Sequence, residues 1–258
     1  MRLMKRILSA AAVLALSASL LVGCSSGTAS SVPVSASSAA ESTVSSVEET
    51  VSSAVDENEA AAAQLLNDLT GSYQELWPVI LADEYKQTWL DDCTALVGED
   101  NAEAAFEKLS SMVTGDVYGE DAVKAYANGG GAYFCGFTNS LAILTFDGET
   151  STISGTDKDG NVLFSHTYHY IGMEPVRGLY EFQSDDADSG EFTYFFLAPD
   201  TSAETYHIEF RYGSDAEALS QYDTGEYAYW LASGISTDCD QTMIDNCIEL
   251  FCTENLAG

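Results

Sequence analysis

Residues 161–213 read NVLFSHTYHYIGMEPVRGLYEFQSDDADSGEFTYFFLAPDTSAETYHIEFRYG. Tyr, Phe, Val and Ile are dense here, and turn residues separate the dense runs, which predicts successive strands with tight connections. The last run, Thr205–Phe210, alternates. Tyr206, Ile208 and Phe210 fall on one face, and Thr205, His207 and Glu209 on the other, because side chains alternate sides along a strand. A wall with one apolar face and one face bearing an imidazole and a carboxylate suits a β-barrel or a sandwich.

Working outward, the strand pattern begins after the glycine run at 129–131. Strands are predicted over 132–138, 141–146, 151–155, 162–171, 178–183, 192–197 and 204–212. Asp147-Gly148 and Asp159-Gly160 mark hairpins, and 184–190 is an acidic loop. Short antiparallel strands with short connections fit an up-and-down barrel, which closes its own edges. Ahead of the strands, helical segments are predicted over 60–68, 73–81, 103–113 and 123–126, with helix or loop over 83–97. Tyr73 and Trp77 lie at the i, i+4 spacing of one helix face. A last helix is predicted over 236–252. Met243, Ile244, Cys247, Ile248 and Phe251 form its apolar stripe, placed to seal the barrel. The expected fold is mainly β with an α cap: an antiparallel barrel with N-terminal helical segments and a C-terminal helix.

The amino terminus reads differently. Arg2, Lys5 and Arg6 precede an apolar run, Ile7–Val22, too short to span a bilayer. Residues 1–23 are read as a secretory leader. Leu21-Val22-Gly23-Cys24 is a bacterial lipobox, so Cys24 is the expected lipidation site, and its acyl chains would anchor the protein to a membrane. Residues 24–59 are rich in Ser and Ala, with almost no large apolar side chains, and predict a disordered tether. The folded domain is expected over 60–258. This layout implies a membrane-anchored lipoprotein at a bacterial cell surface or in a periplasm.

The chain carries 41 acidic and nine basic residues, a formal net charge of −32. All the acids but only six of the bases follow Cys24, which leaves −35 for that part. Such a field repels nucleic acid and anionic lipid and attracts cations loosely. Five cysteines follow Cys24: Cys93, Cys135, Cys239, Cys247 and Cys252. Their spacings match neither a zinc knuckle nor a redox pair. An odd number leaves at least one thiol free, or paired elsewhere. Cys247 and Cys252 lie about 140° apart on a helix, an awkward geometry for a bridge.

The order of motifs resembles ZinT-type zinc-binding domains. Tyr168–Gly172 with Arg177–Phe182 is similar to that family's hairpin, and Glu204–Phe210 to its histidine-bearing strand. Ser214–Ser220 is similar to the segment that follows, and Gly71–Pro78 to its upstream Trp motif. The resemblance implies a calycin-like barrel with a helical cap. It also implies zinc held by three histidines, and zinc capture or delivery outside the cytoplasm, in company with an uptake transporter. The ligand strand here holds Thr205 and His207 where the family has two histidines. No histidine stands in Phe195–Asp200 for the third.

His166, His169 and His207 are the only histidines. His166 and His169 are three apart on one predicted strand and face opposite ways, whereas His207 and Glu209 share a face. The candidate metal ligands are therefore His207, His169 and Glu209, with zinc the expected ion. One or two imidazoles plus carboxylates make a weaker, less zinc-selective site than three imidazoles. No nucleophile or metalloprotease motif is present, so a binding protein is expected rather than an enzyme. The alternative is a metal-free barrel that binds a small apolar ligand, a peptide or a cell-wall partner.

Overall fold

The computed structural model describes residues 57–127, 129–198 and 207–257. The expected leader, Cys24 and residues 24–56 of the expected tether lie outside these. So do Glu204, Thr205 and Tyr206 of the opening motif.

Eight strands form a closed barrel in sequence order, each antiparallel to its neighbours. They are β1 (Gly71–Glu75), β2 (Ile143–Asp147), β3 (Thr152–Thr156), β4 (Val162–Met173), β5 (Tyr180–Ser184), β6 (Tyr194–Leu197), β7 (His207–Gly213) and β8 (Ala232–Ser236). The ring closes where β1 meets β8, with Gln74 opposite Ile235. The helices are α1 (57–68), α2 (Leu76–Ile80), α3 (Lys86–Val97), α4 (Glu99–Val113), α5 (Glu120–Ala125), α6 (Ala216–Leu219) and α7 (Gln241–Leu256). The expected barrel with an α cap is the fold observed.

Local chemistry sets the turns. Asp147 Oδ1 accepts the amides of Glu149 and Thr150 at the β2–β3 turn. Asp157 Oδ1 accepts those of Asp159 and Asn161 at the β3–β4 turn. Both are side-chain-to-backbone turns of the kind Asp favours. Gly98, at φ 84°, ends α3 and lets α4 begin at once. Asp240 caps α7 by accepting the Met243 amide at 3.0 Å.

One helix expectation and one strand expectation are corrected, and one strand was not expected. Residues 73–81 are not one helix: Tyr73 belongs to β1 and Trp77 to α2. Residues 132–138 are not a barrel strand. Phe134 makes only isolated bridges, to Thr114 and Trp230. The Phe137 amide goes instead to the Glu75 carboxylate, and that of Thr138 to the Tyr212 hydroxyl. Finally, β8 carries the sequence ASGIS and no apolar alternation, because four of its five residues are buried, between barrel interior and helices. A Cβ at Gly234 would stand 3.0 Å from Ile208, so small residues suit this position.

Two cores result. Inside the barrel, Phe146, Phe164, Tyr168, Phe182, Phe195, Phe210, Tyr212 and Trp230 interlock. Phe195 and Tyr212 stack at 5.4 Å, and Trp230 meets Tyr212 edge-on at 5.0 Å. Outside, Ile235 of β8 packs with Trp77, Trp89, Leu109, Ile244, Ile248 and Cys252 beneath α2, α3, α4 and α7.

Candidate functional site

Alternation along β7 decides where its polar residues go. Ile208, Phe210 and Tyr212 enter the barrel core. His207 and Glu209 therefore face outward, into a cleft between the barrel wall and α7. Leu76, Trp77 and Ile80 of α2 line it too, together with Cys247, Phe251 and Glu254 of α7. Its volume is about 70 Å³, room for an ion and one or two waters at roughly 30 Å³ each. Glu254 was not a sequence candidate. It is 47 residues from His207 along the chain, and only the docking of α7 brings it here. All three polar side chains are engaged with neighbouring groups in this structure.

The other two histidines lie elsewhere. His166 faces inward on β4, between Phe164 and Tyr168, with its ring 6.0 Å from that of Phe164. Its Nδ1 stands 2.7 Å from Asp186 Oδ2. His169 faces outward on the same strand, half exposed, with Nδ1 2.6 Å from Asp185 Oδ1. The opposite facing expected from their spacing holds. The barrel thus brings none of the three histidines onto a shared site, and the three-imidazole set implied by the ZinT resemblance does not fit. Among the described residues, no group of three or more His, Cys, Asp and Glu side chains is gathered as a metal-holding cluster.

A second, larger cavity adjoins the cleft. It is a recess of about 320 Å³ lined by Glu75, Leu81, Val113, Phe134 and Cys135, among others. Trp77 lines both cavities. Glu75 Oε1 accepts the Phe137 amide at 2.6 Å. The Cys135 thiol is pushed up to about 12, first by burial and then by the nearby Glu209 charge. It is a poor nucleophile there, since the thiolate is the reactive form.

Near the far end of β7 lies a charge cluster that sequence reading missed. Glu174 is fully buried and accepts the amides of Val176 and Arg177, both at 2.7 Å. The guanidinium carbons of Arg177 and Arg211 each stand 4.4 Å from the centre of the Tyr222 ring. Arg211 is wholly buried and donates to the carbonyls of Leu219, Gln221 and Tyr227. Burial lowers its pKa. Two carbonyl-bound or ring-stacked arginines and a carboxylate held by backbone amides form a structural tie. The strong hydrophobicity of the flanking residues gave no hint of it.

No protein-family model and no curated protein matches the sequence. Among solved structures, the chain is similar to the Zn(II)-bound ZinT-like domain of Streptococcus pneumoniae AdcA. The identity is 15%, the TM-score 0.45, and the match covers 71% of this chain and 89% of that one. It is also similar to Zn(II)-bound AdcA from Streptococcus pneumoniae, at 16% identity and a TM-score of 0.41. That match covers 72% of this chain and 35% of the other.

Proposed function

We propose that this chain is a membrane-tethered, extracytoplasmic binding protein that takes up a divalent cation, zinc first, rather than an enzyme. Its anchor is Cys24 and its spacer the Ser-rich segment, both read from sequence. The observation that carries the proposal is the cleft between β7 and α7, where an imidazole (His207) and two carboxylates (Glu209 and Glu254) line one small space. One nitrogen and two oxygen donors suit zinc and other divalent ions without strong preference. The acidic surface raises the local cation concentration around the site. Because the three donors are not gathered into a cluster, a cation must draw them together. That cost makes the site weaker than a three-histidine one, in keeping with capture and hand-over to a transporter rather than permanent storage.

The test is a zinc titration of the chain and of His207→Ala, in about 0.3 M salt to screen diffuse attraction. Micromolar or tighter binding is expected, weakened at least tenfold by the substitution, which is about 1.4 kcal/mol. Equal binding by both proteins would sink the metal reading.

A second reading has its own observation. The recess beside Trp77 is about 320 Å³ and mainly apolar, with the Glu75 carboxylate at its wall. That is the size and character of a small-molecule site. A small apolar ligand with a cationic or hydrogen-bond-donating head would suit it. Quenching of tryptophan fluorescence by a short alkylamine, abolished in Leu81→Phe, which narrows the recess without adding an indole, would favour this reading. No quenching at millimolar amine would dismiss it.

A further inference from the structure

We propose that Cys93 and Cys252 are the two halves of a disulfide that staples α7 to α3. Both side chains are wholly buried, and their sulfurs stand 3.9 Å apart across the packed helices. A disulfide needs about 2.05 Å, so each sulfur moves by about an ångström. The rest of the thiol set supports this pairing. Cys135 faces Ser233 and Trp77 rather than another cysteine. Cys239 and Cys247 lie near one another, close enough for the charge of one to disfavour that of the other.

The position matters for the function proposed above. Helix α7 carries Glu254 and Phe251, which line the cleft with His207. Cys252 lies between them, so a bond there fixes the wall of the cleft against α3. Phe251 meets both Trp77 and Trp89 edge-on in the same layer.

The chemistry balances with an outside disulfide as oxidant. One thiolate attacks the sulfur of an oxidised dithiol or of glutathione disulfide, giving a mixed disulfide and releasing one thiol. The second cysteine then displaces the remaining leaving thiol. Two protons and two electrons leave the protein, and the oxidant becomes two thiols. Burial raises the pKa of both cysteines, so exchange in the folded state is slow. The bond therefore forms while the chain folds, before α7 seals against α3, and once formed it resists reductant. This inference rests on the extracytoplasmic reading only for its setting, since an exported protein meets disulfide oxidants and a cytosolic one does not.

Two arms separate these points. In the first, the full chain is unfolded, reduced and refolded in a glutathione redox couple. It is then unfolded without reductant, alkylated, digested and mapped by mass spectrometry. A linked pair of peptides containing Cys93 and Cys252 is expected, and Cys252→Ser should leave Cys93 alkylated. Alkylation of both cysteines in the wild-type chain, or bridges among other cysteines only, would overturn the proposal. In the second arm the protein is trapped with acid and alkylated directly from membranes of a bacterial host. The same linked peptide there supports it in its natural setting. A bond formed in the first arm but not the second overturns the staple as a feature of the protein in its natural setting.

Discussion

The guanidinium carbon of Arg211 stands 4.4 Å from the centre of the Tyr222 ring, and both side chains are buried. Arg211 sits on β7, one residue beyond Phe210 of the barrel core. Its donors reach three backbone carbonyls of the segment that leads to β8. The pair therefore joins the barrel wall to the connection that closes the barrel.

Replacing Arg211 with Met should strand those carbonyls in a dry site. The expected loss of stability is about 3 kcal/mol, from charge-assisted hydrogen bonds at roughly 1.5–3 kcal/mol each with partial relaxation. Arg211→Lys should recover less than half, because an ammonium cannot span three carbonyls or stack flat on a ring. Urea unfolding midpoints would check both.

Glu254 tests the metal cleft from the α7 side. Glu254→Gln keeps the size and removes a donor charge, so zinc binding should weaken about threefold to tenfold, or up to 1.4 kcal/mol. The thermal midpoint without zinc should stay within about 2 °C, since Glu254 is an exposed surface position. Calorimetric titration with and without Glu254→Gln gives the answer.

Two half-buried carboxyls should make mild acid stabilising at their own sites. Burial, and then repulsion from Glu249, Asp245 and Asp91, raises the pKa of Asp92 on α3. Burial, and then Glu174, raises that of Glu181. A carboxyl raised in the folded state holds its proton better there than in the unfolded chain. Its contribution is thus full below the ordinary carboxylate range and is lost as pH rises through the folded value. As far as these two groups govern it, the melting temperature should fall as pH rises above the ordinary carboxylate range. Asp92→Asn should flatten that fall and raise the midpoint at pH 7 by about 1–2 °C, after allowing for solvent screening. Scanning calorimetry across this range would show it.

The helix staple should show in stability as well as in mapping. The cysteines are 159 residues apart, and closing so long a loop restricts the unfolded chain by about 3 kcal/mol or more. In a domain of this size that is about 6–12 °C in melting temperature. Oxidised protein should therefore melt higher than protein reduced while unfolded and refolded in reductant. Cys93→Ala should melt alike in both conditions.

What was legible in the chain follows from where water lies. Strands β2 to β7 stood out because most have one face toward the aromatic interior and another toward a wetter surface. Tight turns at Asp147-Gly148 and Asp159-Gly160 showed for the same local reason: Asp binds its own backbone and Gly takes the turn. β8 was hidden because both its faces are dry, and β1 because GSYQE is short and polar. The segment 132–138 misled because Tyr133, Phe134 and Phe137 have strand-like side chains, while their partners across the barrel end are far away in sequence.

The sequence by itself determined the run of short antiparallel strands with an α cap, the apolar helices, the acidic surface and the shared face of His207 and Glu209, because each depends on neighbours a few residues apart; closure of the ring between β1 and β8 was left to the tertiary structure. Only the tertiary structure decided that this face looks outward under α7, that Glu254 joins it, that His166 and His169 part company with it, and that Cys93 meets Cys252. Those outcomes depend on which wall of the barrel closes inward and where the last helix docks. They are set by packing between segments up to 159 residues apart, which local periodicity does not encode.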